Sequence, residues 1–249
     1  MKITDAVSLI TIATLLLSIF LRMRPKAGKT YAPLLWVQIS GVWMLGTSLS
    51  WTYCTLDAAM GGRNYLNLTS HLLFLGASWV YTVVLAEPFF RNRPKPATLS
   101  NWIPAVAAAG ATVSFVLLDA DTTSRGMNAF TNEPAWIGYW VFNIMTLWVP
   151  AITLVPLLLR VVKETRIRSL VVVYWAMIIG YTASVAAMLS YVITYFYPGL
   201  IVAREILVMI TELGLMTALI AIPVLSHQKS AERSARQQAQ QKAAARFQG

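Results

Sequence analysis

Cysteine occurs once in the 249 residues, at Cys54, so neither an internal disulfide nor a cysteine-built metal site can form within the chain. Histidine occurs twice, at His71 and His227. Two are too few to ligate a pair of haems, and no HExxH zinc pattern is present. No lysine lies between Glu205 and His227, so the last apolar run lacks the Schiff-base attachment that a retinal protein needs. A P-loop is missing as well. Gly76-Ala77-Ser78 has the look of an intramembrane serine-protease fragment, but His71 is on the same run and no second base stands ready on another. These absences predict a protein that is not an enzyme and holds no cofactor and no metal.

What the chain has in quantity is apolar surface. Hydrophobic residues make up 57% of it and charged residues 12%, too apolar a balance for a soluble domain. A bilayer core of ~30 Å needs ~20 apolar residues per helix. Seven such runs follow one another: about Thr4–Leu21, Tyr31–Leu56, Asn64–Glu87, Asn101–Leu118, Ala135–Leu159, Ser169–Phe196 and Glu205–Leu225. The expected fold is all-α, a polytopic membrane protein of seven transmembrane helices over residues 1–228, with a basic polar tail over 229–249. The first run is not expected to be a cleaved signal peptide, because basic residues stand where a small-residue cleavage site would be.

Charge sets the orientation. The connections after runs one, three and five and the tail carry 4, 3, 4 and 5 Lys/Arg, sixteen of the twenty. Only Lys2, Arg63, Arg125 and Arg204 fall on the other side. The positive-inside rule then puts the N-terminus outside and the tail in the cytoplasm. This is also why a net charge of +10 does not point to nucleic acid: the tail's five spaced charges and single aromatic, Phe247, form no recognition module. The expected location is the plasma membrane of a cell, multi-pass, in a bacterium the inner membrane. The tail reads as a solvated or lipid-surface extension, with anionic lipid headgroups as the alternative partner of Lys229, Arg233, Arg236, Lys242 and Arg246.

Aromatic residues mark the expected interfaces, with Trp51, Tyr53, Trp136, Tyr139, Trp140, Tyr191, Tyr195 and Tyr197 outside and Trp36, Trp102, Tyr174 and Trp175 inside. Small residues offer close-contact faces at Ala105, Ala109 and Thr112 on run four and at Gly180, Ser184 and Ala187 on run six. Pro150 and Pro156 are expected to kink run five. Asn67-Leu68-Thr69 matches a glycosylation sequon, but its place in run three argues against modification.

Ionisable groups inside a membrane are costly and so mark candidate sites. His71 and Glu212 qualify. Each lies seven residues into its run, ~10 Å below the start at 1.5 Å per residue. Asn143 falls at a similar expected depth, beside the hydroxyls of Thr47, Ser48, Ser50 and Thr52. The sharp expectation is an outward-facing polar layer that binds a ligand or a proton, with His71 paired to Glu212. The plainer one is a hydrogen-bond network that fixes helix packing. Function is accordingly expected to be non-catalytic: sensing, binding or association with a membrane-protein partner or a second copy. The alternative is a small proton- or cation-linked transporter or channel using His71 and Glu212.

The stretch Gly62–Trp79, GRNYLNLTSHLLFLGASW, resembles a group of actinobacterial seven-helix integral membrane proteins, which show Asn-Leu and then His-Leu-Leu on helix three. The basic connection after the first helix and the helix count agree, over about residues 1–226. The resemblance implies the seven-helix fold and carries over one residue, His71. Members usually continue into a cytoplasmic domain where a short tail follows here, which argues against a signal-output role. The group has no settled activity.

Overall fold

The computed structural model describes residues 3–23 and 32–221, and every regular element among them is helical. In chain order these are α1 (Ile3–Met23), α2 (Ala32–Ser48), α3 (Ser50–Ala59), α4 (Tyr65–Phe90), α5 (Trp102–Leu118), α6 (Pro134–Asn143), α7 (Met145–Glu164) and α8 (Arg168–Phe196). A ninth, α9, covers 201–221. Among the described residues α4, α7 and α8 are long and apolar enough to cross a membrane, and α2 with α3 makes a fourth if that bent pair is one span. The apolar part of α1, Ser8–Phe20, and α5 are shorter. The tail, and residues 24–31 with their basic cluster, lie outside the described residues.

Two of the expected continuous helices are broken. The run Tyr31–Leu56 turns by 89° between α2 and α3. Leu49 leaves the helix with φ −61° and ψ 138°, and the exposed N-terminus of α3 is met by a carboxylate from another helix. Ser50 donates to Asp5 through both its backbone N–H and its hydroxyl. An acceptor at the first turn satisfies orphan donors and opposes the helix dipole, so Asp5 stabilises the break. The run Ala135–Leu159 parts at Ile144, whose φ is −99° and ψ 4°. Pro150 and Pro156 instead remain inside α7. Proline at 150 deprives the carbonyl of Thr146 of its helical donor. The Thr82 hydroxyl donates to that carbonyl at 3.4 Å, which offsets part of the loss.

Apolar residues meet in two clusters on either side of α4. One joins Leu15, Val37, Tyr81, Leu154, Met177 and Leu219. The other joins Trp79, Ala107, Phe115, Trp136, Tyr139 and Tyr191. The expected contact face of α8 is buried at Gly180, Ser184 and Ala187. That of α5 is not as expected: Ala105 and Ala109 are exposed, and Ile103, Ala107, Ala111 and Ser114 face the core instead. The same helix has small residues on two faces, and only packing selects between them. Of the aromatics expected at the outer interface, Tyr53, Trp136, Tyr139, Trp140 and Tyr191 are buried core residues, whereas Trp51 and Tyr197 are exposed.

Candidate functional site

His71 lies one and a half turns into α4. Its Nδ1 donates to the Asn67 carbonyl at 2.7 Å, since a carbonyl can only accept, and this bond fixes the tautomer. Nδ1 also lies 3.3 Å from the Tyr139 hydroxyl, which accepts a bond from Asn67 Nδ2 at 3.2 Å. The ring meets Tyr139 and Trp140 edge-on, at 5.7 and 4.8 Å between centroids. Trp140 in turn stacks on Tyr191 at 4.8 Å. The imidazole is therefore held in an aromatic nest between α4 and α6. Asn67, the sequon asparagine, is buried within it. Asn143 joins the same group from the end of α6, its Nδ2 donating to the Tyr139 carbonyl at 2.9 Å and its Oδ1 buried without a partner.

Glu212 is elsewhere. Because α9 begins at residue 201 rather than at Glu205, Glu212 lies eleven residues in, ~16 Å along the axis at 1.5 Å per residue. His71, six residues into α4, lies ~9 Å along its own. Among the described residues no hydrogen bond or ion pair joins Glu212 to His71 or to any other group. The residue lines a cavity of about 50 Å³ with Ser8, Thr11, Met44, Phe74 and Met216. A second cavity of about 40 Å³ shares Met44, Phe74, Leu147, Leu215 and Met216 and reaches Ser78, Tyr81 and Leu219. Helix packing aims Glu212 this way. Gly214 is pressed against the Gly180 backbone of α8, and Met216, one turn beyond Glu212, rests on Gly41 of α2.

A third polar group was hidden in the sequence. The connection 119–133 folds back as a cap bonded to four helices. From α3, the fully buried Asp57 accepts from Thr123 Oγ1 at 2.7 Å, and from the backbone N–H groups of Asn64 and Leu66 at the start of α4. Asn64, at φ 58°, accepts from Tyr53 OH at 2.9 Å and from Ser124 N–H at 2.7 Å, and its amide donates to the Thr122 carbonyl. The turn before it is made by Gly61 and Gly62 at φ 101° and 68°, where a side chain would be strained. From α1, Asp5 pairs with Arg125 at 3.2 Å. From α9, Arg204 donates to Asn128 at 2.9 Å and lies over the rings of Trp136 and Tyr191. Arg204, one of the four basic residues expected on the outer side, is 4% exposed. Acidic and amide residues at helix ends were the available signal, but their partners lie far away in sequence.

A hydroxyl chain occupies the centre of the bundle: Ser78 to Thr146 at 2.6 Å, and Thr82 to Tyr181 at 3.0 Å. Among the described residues no group of three or more metal-ligating side chains is gathered. No protein-family model, curated protein or solved structure matches the chain. What fold and site define together is a class: an all-helical chain with several apolar helices fit to span a membrane, a capped polar end and a cavity lined in part by Glu212.

Proposed function

We propose that the chain is a non-catalytic multi-pass membrane protein of seven spans, N-terminus outside and tail in the cytoplasm, resident in the plasma membrane, that senses or binds at its outer polar end. In this arrangement the second span is the α2–α3 pair and the fifth is α6 with α7. The observation that carries the reading is the 119–133 cap, which ties α1, α3, α4 and α9 through buried polar groups. A ligand or partner that shifts the cap acts on four helices at once, which is what a binding event needs to reach the bundle. The tail would meet a membrane-protein partner, a second copy or anionic lipid.

The test is hydrogen exchange on the full chain in nanodiscs. Asn64→Ala removes the ties of the cap to the start of α4, with the bond from Tyr53 of α3, and does not touch Arg204. Faster exchange in the first turns of α9 as well as in 119–133 supports the coupling. A change confined to 119–133 sinks it.

A second reading, proton- or cation-linked transport, draws on one observation: Glu212 lines a cavity. His71 would then act apart from it, since its Nδ1 is occupied by Asn67 and Tyr139. Proton flux in liposomes that is lost in Glu212→Gln would favour this reading over the first.

A further inference from the structure

We infer that the paired cavities between α1, α2, α4, α7 and α9 are a binding site for a small organic ammonium ion with a short hydrocarbon tail, its head at Glu212. The inference deepens the binding reading above by naming a site and a ligand class, and it does not depend on the 119–133 cap.

The chemistry divides cleanly along the two cavities. At the α1 end, Glu212 is joined by the hydroxyl residues Ser8, Thr11 and Thr211. Thr211 gives its proton to the Leu207 carbonyl at 3.0 Å, which leaves its oxygen lone pairs to accept. Glu212 has no cationic neighbour among the described residues, and a carboxylate out of water requires a proton or a cation to balance it. The rest of the wall is Met44, Met209, Met216, Phe74, Leu45 and neighbouring leucines. Thioether side chains are flexible and polarizable, so they close around a small apolar body, and an aromatic ring near a cationic head adds attraction.

The second cavity continues that wall through the five residues it shares with the first. Its polar groups are already used: Ser78 bonds Thr146 and Tyr81 donates to the Leu215 carbonyl. It accepts a hydrocarbon and offers nothing to a second charge. An inorganic cation fits less well. Hard cations such as Ca²⁺ or Mg²⁺ take about six or more oxygen ligands, and here one carboxylate and three hydroxyls face a wall of methionine, leucine and phenylalanine.

The experiment is thermal unfolding of the full chain in detergent, titrated with n-butylammonium, with 1-butanol as its neutral counterpart and with potassium chloride as an ionic control. We expect n-butylammonium to bind about tenfold more tightly than 1-butanol, the difference a charge-assisted hydrogen bond makes. Glu212→Gln should erase that difference while leaving the weak binding of 1-butanol. Between n-propylammonium and n-butylammonium affinity should rise about fourfold, the gain for burying one methylene. Equal stabilisation by amine and alcohol would overturn the proposal, as would a potassium effect matching that of the amine. So would the absence of any amine effect on the wild-type chain, a readout that holds even if Glu212→Gln fails to fold. An exchange change confined to 119–133 in Asn64→Ala, with amine binding intact in the wild-type chain, would strike the sensing reading and leave this one.

Discussion

Gly214 of α9 and Gly180 of α8 cross without room for a methyl group between them. A Cβ at Gly214 would stand 2.7 Å from the Ala176 carbonyl oxygen and 2.9 Å from the Gly180 Cα. These are backbone atoms, so the helices themselves would have to separate. Gly214→Ala is therefore expected to destabilise by about 1–3 kcal/mol, the range for overpacking. Gly46 on α2 has nothing within 4 Å of such an atom, and Gly46→Ala should be neutral or stabilising by up to about 1 kcal/mol. Thermal unfolding of both variants in one detergent checks the contrast. Equal losses would mean that α8 and α9 are not in close contact.

Asp57 is the keystone of the cap. Replacing it with alanine strands the hydroxyl of Thr123 and the backbone donors of Asn64 and Leu66. Losing a helix cap and leaving buried donors unpaired should together cost about 2–4 kcal/mol. Limited proteolysis should then cut within 119–133 at least tenfold faster, as a loss above ~1.4 kcal/mol implies. Unchanged cleavage would show that Asn64, Asp5 and Arg204 hold the cap without Asp57.

The Tyr139 hydroxyl lies between Asn67 and His71. Tyr139→Phe keeps the ring against Trp140 and His71 and removes the acceptor of the Asn67 amide together with the hydroxyl beside His71 Nδ1. A loss of about 1–2 kcal/mol is expected, with a change in the His71 ring resonances by NMR. If those resonances stay put, the hydroxyl does not set the imidazole's environment.

His71 and Glu212 invite a double-mutant cycle. They share no hydrogen bond or ion pair, and His71 is engaged by α4 and α6 partners. His71→Ala and Glu212→Gln should thus be additive to within about 0.5 kcal/mol. A coupling energy well above that would restore the direct pair expected from sequence.

The reasons that sequence leaves the pairing open are physical. That His71 and Glu212 are ionisable groups within apolar runs is readable, and rise per residue is fixed, but depth depends on where a helix starts, and α9 starts at 201 rather than at Glu205. Azimuth is not readable. Glu212 lines a cavity with residues of α1 and α2 while Gly214 is pressed on α8, a contact no local pattern announces. Helix continuity fails in the same way. Pro150 and Pro156, where a kink is expected, lie inside α7, with Thr82, on another helix, answering the carbonyl that Pro150 frees, and the chain parts at Ile144. Leu49 is an ordinary apolar residue, and the bend there rests on Asp5, supplied from α1. The cap was invisible for the same reason: Thr122, Thr123 and Ser124 read as loop residues until Asp57 and Asn64 are placed beneath them.

The bend at Leu49 also has a meaning for the lipid. With α3 turned aside, α2 runs 17 residues, or ~25 Å, and α5 has the same 17. Both contact α4, whose 26 residues extend ~39 Å. In the proposed membrane setting, short neighbours flanking a long helix present an uneven hydrophobic thickness. Lipid beside α2 and α5 is drawn thin while α4 must tilt to stay covered. The perimeter of this bundle would therefore grade its lipids by chain length, the shorter acyl chains gathering on the faces of α2 and α5.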